Sequence, residues 1–84
     1  MQGQGDEEAR DKRAFGEGLR ALRLRAGLTQ EQLAERAGAD ASYLSQLENG
    51  HRDTRWTTVM RLLRTLDATL SELHAAIVQQ RPPK

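Results

Sequence analysis

Along the middle of the chain, apolar residues recur every three or four positions, and glycines separate the runs. Phe15, Leu19, Leu22 and Ala26 fall at i, i+4, i+7 and i+11, one face of a helix expected over about 12–26. Gly27 stands where such a helix needs a left-handed closing residue. Gly16 and Gly18 each cost about 1 kcal/mol relative to alanine, so its first turns are expected to fray. Leu24 lies off the stripe, and a lone exposed leucine is ordinary. Thr29-Gln30-Glu31-Gln32 is a capping box, opening a short second helix that runs to about Ala37 and buries Leu33, Ala34 and Ala37. Gly38 ends it. Asp40 caps a third helix over 41–49 with Leu44 and Leu47 inward, and Gly50 closes that one. A fourth helix is expected over about 56–66, where Trp56, Val59, Met60, Leu62, Leu63 and Leu66 spread across ~160° of its surface, wider than one core contact requires. Thr69-Leu70-Ser71-Glu72 is a second capping box, and Leu70, Leu73 and Ile77 line one side of a fifth helix reaching about 78. No six-residue stretch alternates like a strand. The pattern predicts an all-α fold of five short helices.

The ends read differently. Residues 1–11 are rich in Gly, Gln and acids without apolar periodicity, which predicts a disordered tail. Residues 79–84 carry Pro82 and Pro83, which predicts a flexible C-terminal tail after a domain spanning 12–78. With 84 residues there is room for one small domain. The absence of cysteine removes disulfides, thiolate metal sites and a cysteine nucleophile together. No apolar run approaches membrane-spanning length, and the first residues lack a signal pattern, so the expected location is cytoplasmic.

Net charge is only +1, and its distribution is more informative than its sum. Basic residues cluster at Arg10, Lys12, Arg13, Arg20, Arg23 and Arg25, and again at His51, Arg52, Arg55, Arg61 and Arg64. Runs of this kind often only solvate a helical surface. Between them, two helices of about eight residues are joined by Gly38-Ala39-Asp40. Each is too short to be stable alone. Small residues at 34 and 37 permit a close, steep crossing, and Gly38 can take the positive φ of a tight turn. This is a helix-turn-helix pattern, whose second helix enters the DNA major groove. The outward face of residues 41–49 fits that task, because Ala41, Ser42, Ser45, Gln46 and Asn49 are short or amide-bearing and none is charged. Glutamine can bond an adenine edge, and alanine can touch a thymine methyl. Three roles stay open for Tyr43: stacking, bonding a phosphate, or completing the core. Arg52 and Arg55 flank the helix and are expected at phosphates, which position a domain without reading sequence.

The run Leu28-Thr29-Gln30-Glu31-Gln32-Leu33-Ala34-Glu35-Arg36-Ala37-Gly38, with Ser42-Tyr43-Leu44-Ser45-Gln46-Leu47-Glu48-Asn49-Gly50, resembles the lambda-repressor-like, Xre/Cro-type DNA-binding domain. The resemblance extends from about Phe15 to Ile77. It implies a compact five-helix domain, usually dimeric on DNA, that regulates transcription. It also implies that Gln30 meets a phosphate, that Ala41, Ser42 and Gln46 reach base edges, and that Ser45, Asn49 and the following loop lie near the backbone. Arg23 and Glu48 occupy positions where the family often ties the first helix to the third with an ion pair. The chain departs from the family at Thr54 and Arg55, where Pro-Ser is common, and at Asp67, where glycine is usual.

Catalysis finds no support in the inventory. His51 and His74 lie far apart, no carboxylate has metal-ligand spacing, and a phosphate loop needs a strand to follow. Neither a metal nor a cofactor is expected. The expected function is a sequence-specific regulator on double-stranded DNA, a small repressor or controller. It would bind a near-palindromic operator as a homodimer, through Trp56, Met60, Leu62 and Val78. The alternative is a protein-interaction module or antitoxin subunit on the same scaffold, separable by whether duplex DNA is bound in a salt-dependent way.

Overall fold

A computed structural model describes residues 3–80, with the side chains of 5–79. It contains five helices: α1 Gly3–Arg25, α2 Gln30–Ala37, α3 Ala41–Glu48, α4 Trp56–Leu66 and α5 Leu70–Gln80. Helix α1 packs against α5 and α3, while α2 packs against α3 and α4. The core they enclose is built from Leu19, Leu22, Leu33, Leu44, Leu47, Leu62, Leu63 and Leu73. Burying one such leucine fully contributes about 1.5–3 kcal/mol, which is how eight-residue helices become stable here when they are not alone.

Helix boundaries follow local chemistry. Thr29 Oγ1 accepts from the Gln32 N–H at 3.0 Å, and Gln32 Oε1 accepts from the Thr29 N–H at 2.9 Å. Thr69 and Glu72 repeat the arrangement at the start of α5, at 3.0 and 2.8 Å. Asp40 Oδ1 accepts from the Ser42 N–H at 3.0 Å and starts α3. Helices α1 to α4 all close with a backbone turn of one kind, in which a residue just past the end donates five positions back, as from Ala39 to Ala34 at 2.8 Å and from Ala68 to Leu63 at 2.9 Å. Gly27, Gly38 and Gly50 supply the left-handed residue at three of these turns, and Asp67 supplies the fourth at φ 54°.

Four expectations need correction. Helix α1 reaches back to Gly3, so residues 3–11 are helical rather than a disordered tail; Met1 and Gln2 lie outside the described residues. The segment has good helix formers, acids before bases along the dipole, and opposite charges four apart at Asp6/Arg10 and Glu8/Lys12. Helix α5 includes Gln79 and Gln80, because a proline at 82 restricts only itself and the residue before it; residues 81–84 of the expected C-terminal tail lie outside the description. Gly16 and Gly18 are not points of fraying but places of close approach. A Cβ on Gly16 would collide with the carbonyl oxygens of Leu47 and Glu48, the latter at 2.6 Å, and one on Gly18 would lie 2.9 Å from Ile77 Cγ1. Finally, the face of α5 is turned: Leu73 and Ala76 are buried while Leu70 is exposed.

Candidate nucleic-acid interface

Helix α3 is held from its inner side. Leu44 and Leu47 are fully buried, and α1 approaches its C-terminal end closely because Gly16 has no side chain. Glu48, at that end, is buried with Arg23 of α1. Arg23 Nε donates to Glu48 Oε2 at 2.7 Å and Nη2 donates to Oε1 at 2.9 Å, a bidentate pair. The third guanidinium nitrogen, Nη1, donates to the Leu28 carbonyl at 2.8 Å, and Gln30 Nε2 donates to Glu48 Oε1 at 3.0 Å. Bonding to Glu48 holds the Arg23 guanidinium even more firmly protonated than usual, outweighing the opposing effect of burial. Among the described residues no buried side-chain nitrogen or oxygen lacks a partner. The expected ion pair is therefore present, and Gln30, half-buried, joins it with one amide hydrogen.

The outer side of α3 carries the predicted reading face. Ser42, Gln46 and Asn49 are exposed, and Ala41, Tyr43 and Ser45 are half-buried. Tyr43 fills one of its open roles, packing against the core, and its hydroxyl shares a hydrogen bond with Thr54 Oγ1 at 2.9 Å. Arg52 folds back from the loop, its Nε donating to Gln46 Oε1 at 2.7 Å and its guanidinium carbon lying 5.2 Å from the Tyr43 ring centre.

Cations border this face on two sides. Arg52, Arg55 and Arg61 line an open cleft of about 740 Å³ with Tyr43, Thr54 and Thr58, alongside Asp40 and Asp53. Arg13 and Arg20 of α1 line a smaller hollow with Glu17, Glu48 and Asn49. The sequence places Arg13, Arg20 and Arg61 in its basic clusters without assigning them a contact; the seven-residue spacing of Arg13 and Arg20, two helical turns, is the signal that puts those two on one face. Arg25 lines neither hollow and lies 3.6 Å from Glu72 between α1 and α5.

The expected dimer residues separate. Trp56 is 60% exposed and Val78 49% exposed, whereas Met60 is half-buried against the core. Leu62 is only 1% exposed, so it is a core residue and unavailable to a partner. The broad arc of α4 arises because α4 contributes Val59, Leu62, Leu63 and Leu66 to the core at once.

Comparison with known proteins identifies the family and the fold. A family model described as a helix-turn-helix domain matches residues 14–76. The propionyl-CoA carboxylase regulator of Cereibacter sphaeroides is 43% identical over 58 residues, 69% of this chain, which spans only 13% of that protein's length. An uncharacterised HTH-type transcriptional regulator, y4dJ of Sinorhizobium fredii, is 36% identical over 62 residues, covering 74% of this chain and 80% of that one. Among solved structures, the restriction-modification controller protein C.AhdI from Aeromonas hydrophila superposes with a TM-score of 0.72 at 40% identity, covering 75% of this chain and 96% of that chain.

Proposed function

Because the chain belongs to the helix-turn-helix family of DNA-binding transcriptional regulators, we propose that it lays α3 in the major groove and acts as a small repressor or controller on a near-palindromic operator. The observation that carries this reading is an uncharged hydroxyl-and-amide face on α3 bordered on both sides by arginines. Ala41, Ser42 and Gln46 stand for base edges, where alanine suits a thymine methyl and serine either partner. Tyr43, Ser45, Asn49, Arg52, Arg55 and the free amide hydrogen of Gln30 stand for the sugar-phosphate backbone. Arg13, Arg20 and Arg61 add to that set. A homodimer through Trp56 and Val78, with Met60 at its margin, would set two copies of α3 about 34 Å apart on successive grooves. The protein would work in the cytoplasm, with no metal or cofactor.

The test is selection of duplexes from a random pool, followed by binding at several salt concentrations. A two-fold symmetric motif is expected. If Arg52, Arg55 and Arg61 of both protomers meet phosphates, six contacts give a slope of log K against log salt of roughly −5. Gln46→Ala should cost about 1–3 kcal/mol on the selected site and relax one base position. Arg55→Ala should weaken all sequences alike and flatten the slope by about one. Absence of salt-dependent duplex binding would favour a protein-interaction module or antitoxin subunit instead.

A further inference from the structure

Arg52 is fixed on the outer face of α3 before any ligand arrives. Gly50, at φ +76°, and the His51 N–H bonded to the Gln46 carbonyl at 2.9 Å turn the chain back along the helix. A side chain six residues after Gln46 therefore reaches Gln46. Its guanidinium rests over the Tyr43 ring, and that ring is itself held to the loop through Thr54. The polarity of the Arg52–Gln46 bond admits one arrangement. A guanidinium has only donors, so Gln46 must turn its carbonyl oxygen to Arg52 and leave its NH₂ group elsewhere.

We infer that Gln46 and Arg52 form one composite reading head, in which Arg52 determines specificity for guanine at the base pair facing Gln46. This rests on the placement of α3 in the major groove proposed above, and it gives Arg52 more than the phosphate contact expected from sequence. An unencumbered glutamine bonds adenine with both ends of its amide, donating to N7 and accepting from the N6 amine. Here the amide oxygen already accepts a charge-assisted bond at 2.7 Å, with a cation beside it. An adenine amine brought to that oxygen would meet a donor of its own polarity. Gln46 Oε1 keeps a second lone pair, but it lies beside a cation, and the other groups left over on both side chains are donors: the Gln46 NH₂ and the terminal guanidinium nitrogens. Guanine offers two acceptors, N7 and O6, to such a set. Adenine offers one acceptor and one donor, and cytosine a donor. Because the ring of Tyr43 and the oxygen of Gln46 already hold Arg52, little side-chain freedom is lost on binding.

Random-pool selection with the full chain, run on wild type, Arg52→Ala, Arg52→Met and Gln46→Ala, tests the assignment. Wild type is expected to select guanine at one position in each half-site, roughly tenfold over adenine. Both Arg52 variants free the Gln46 oxygen, so that position should move to adenine while the others keep their bases. Gln46→Ala should lose the preference at the same position. Arg52→Met retains an unbranched stem over Tyr43, so its result stands even if Arg52→Ala melts early. The inference is overturned, with the groove placement intact, if both Arg52 variants keep the wild-type base everywhere and change only overall affinity. It is equally overturned if wild type already selects adenine at the position lost in Gln46→Ala. A wild type that selects no motif overturns the groove reading and this inference with it.

Discussion

Removing Glu48 tests what holds α3 to the rest of the domain. Glu48→Ala leaves Arg23 with its Leu28 carbonyl bond but without both carboxylate bonds, at a site where the Arg23 side chain is 8% exposed. Breaking one side of a buried pair costs about 3–5 kcal/mol, because the surviving charge stays desolvated and unpaired. A domain of this length has a total stability of roughly 4–13 kcal/mol, so this one change removes about a quarter of it or more. At roughly 4–8 °C per kcal/mol, the melting temperature should fall by tens of degrees. Arg23→Ala should cost less, since a stranded carboxylate can take up a proton and a guanidinium stays charged. The assay is a set of thermal melts of both single variants, the double Ala variant, and the apolar pair Arg23→Met with Glu48→Leu. The double Ala variant should lose clearly less than the two singles added together, and the apolar pair should recover much of the loss. Additive losses would show that the two charges, 2.7 Å apart, are energetically independent, and the reasoning would fail.

Three further outcomes follow from other parts of the fold. Gly16→Ala should destabilise by about 1–3 kcal/mol despite the better helix propensity of alanine, since its Cβ has backbone carbonyls to displace; Gly5→Ala, with nothing within 4 Å, should gain up to about 1 kcal/mol, and chemical denaturation that orders the two the other way would refute the close approach of α1 and α3. The Thr69 N–H holds the Glu72 carboxyl below its ordinary value of 4.5, so its stabilisation of α5 is fully present above that pH and fades as pH falls through the lowered value; the gap in melting temperature between wild type and Glu72→Gln should close on acidification, and a gap constant with pH would contradict this. Trp56→Ala should leave the melting temperature of the dilute monomer almost unchanged, because the indole is mostly in solvent, yet weaken self-association by about 2 kcal/mol or more if Trp56 anchors the dimer; sedimentation equilibrium of a variant that dimerises like wild type would remove it from the interface.

Much of this architecture is legible in the chain because short-range chemistry decides it. Both capping boxes, the Asp40 cap and the closing glycines at 27, 38 and 50 depend on residues a few positions apart, and they place α2 and α3 to within a residue, whereas the bounds of α4, which has no side-chain cap, rest on its apolar periodicity. What could not be read depends on distant partners. Gly16 and Gly18 look like helix weaknesses until the backbones of α3 and α5 are set beside them. Leu62 looks like surplus apolar area until it is seen buried beside Val59, Leu63 and Leu66. The missed start of α1 has another cause: apolar periodicity was the criterion, and residues 3–11 are helical without it, on propensity and charge spacing. At the site, side-chain type marks the outer face of α3 as the one proposed to meet DNA, but the Arg52–Gln46 bond needs the turn at Gly50 and could not be read from spacing.

The elements that stabilise the domain and those proposed to meet DNA share the same eight residues of α3, divided by face and not by position along the helix. Leu44, Leu47 and Glu48 turn inward, and the last of these is bound to α1 at the end where Gly16 lets the two backbones approach. Gly50 continues that contact: a Cβ there would lie 2.7 Å from Arg13 Cγ, so the residue that turns the loop back also touches α1. Helix α1 thus fixes the C-terminal half of α3, while the cap at Asp40 and the packing of α2 fix the start. An eight-residue helix free in solution would lose backbone and side-chain freedom on entering a groove, at about 1–2 kcal/mol per ordered residue for the backbone alone. In this chain that ordering belongs to folding and not to binding. Damage to the inner face should therefore appear in melts before it appears in base preference, whereas damage to Gln46 should change base preference with the melt intact.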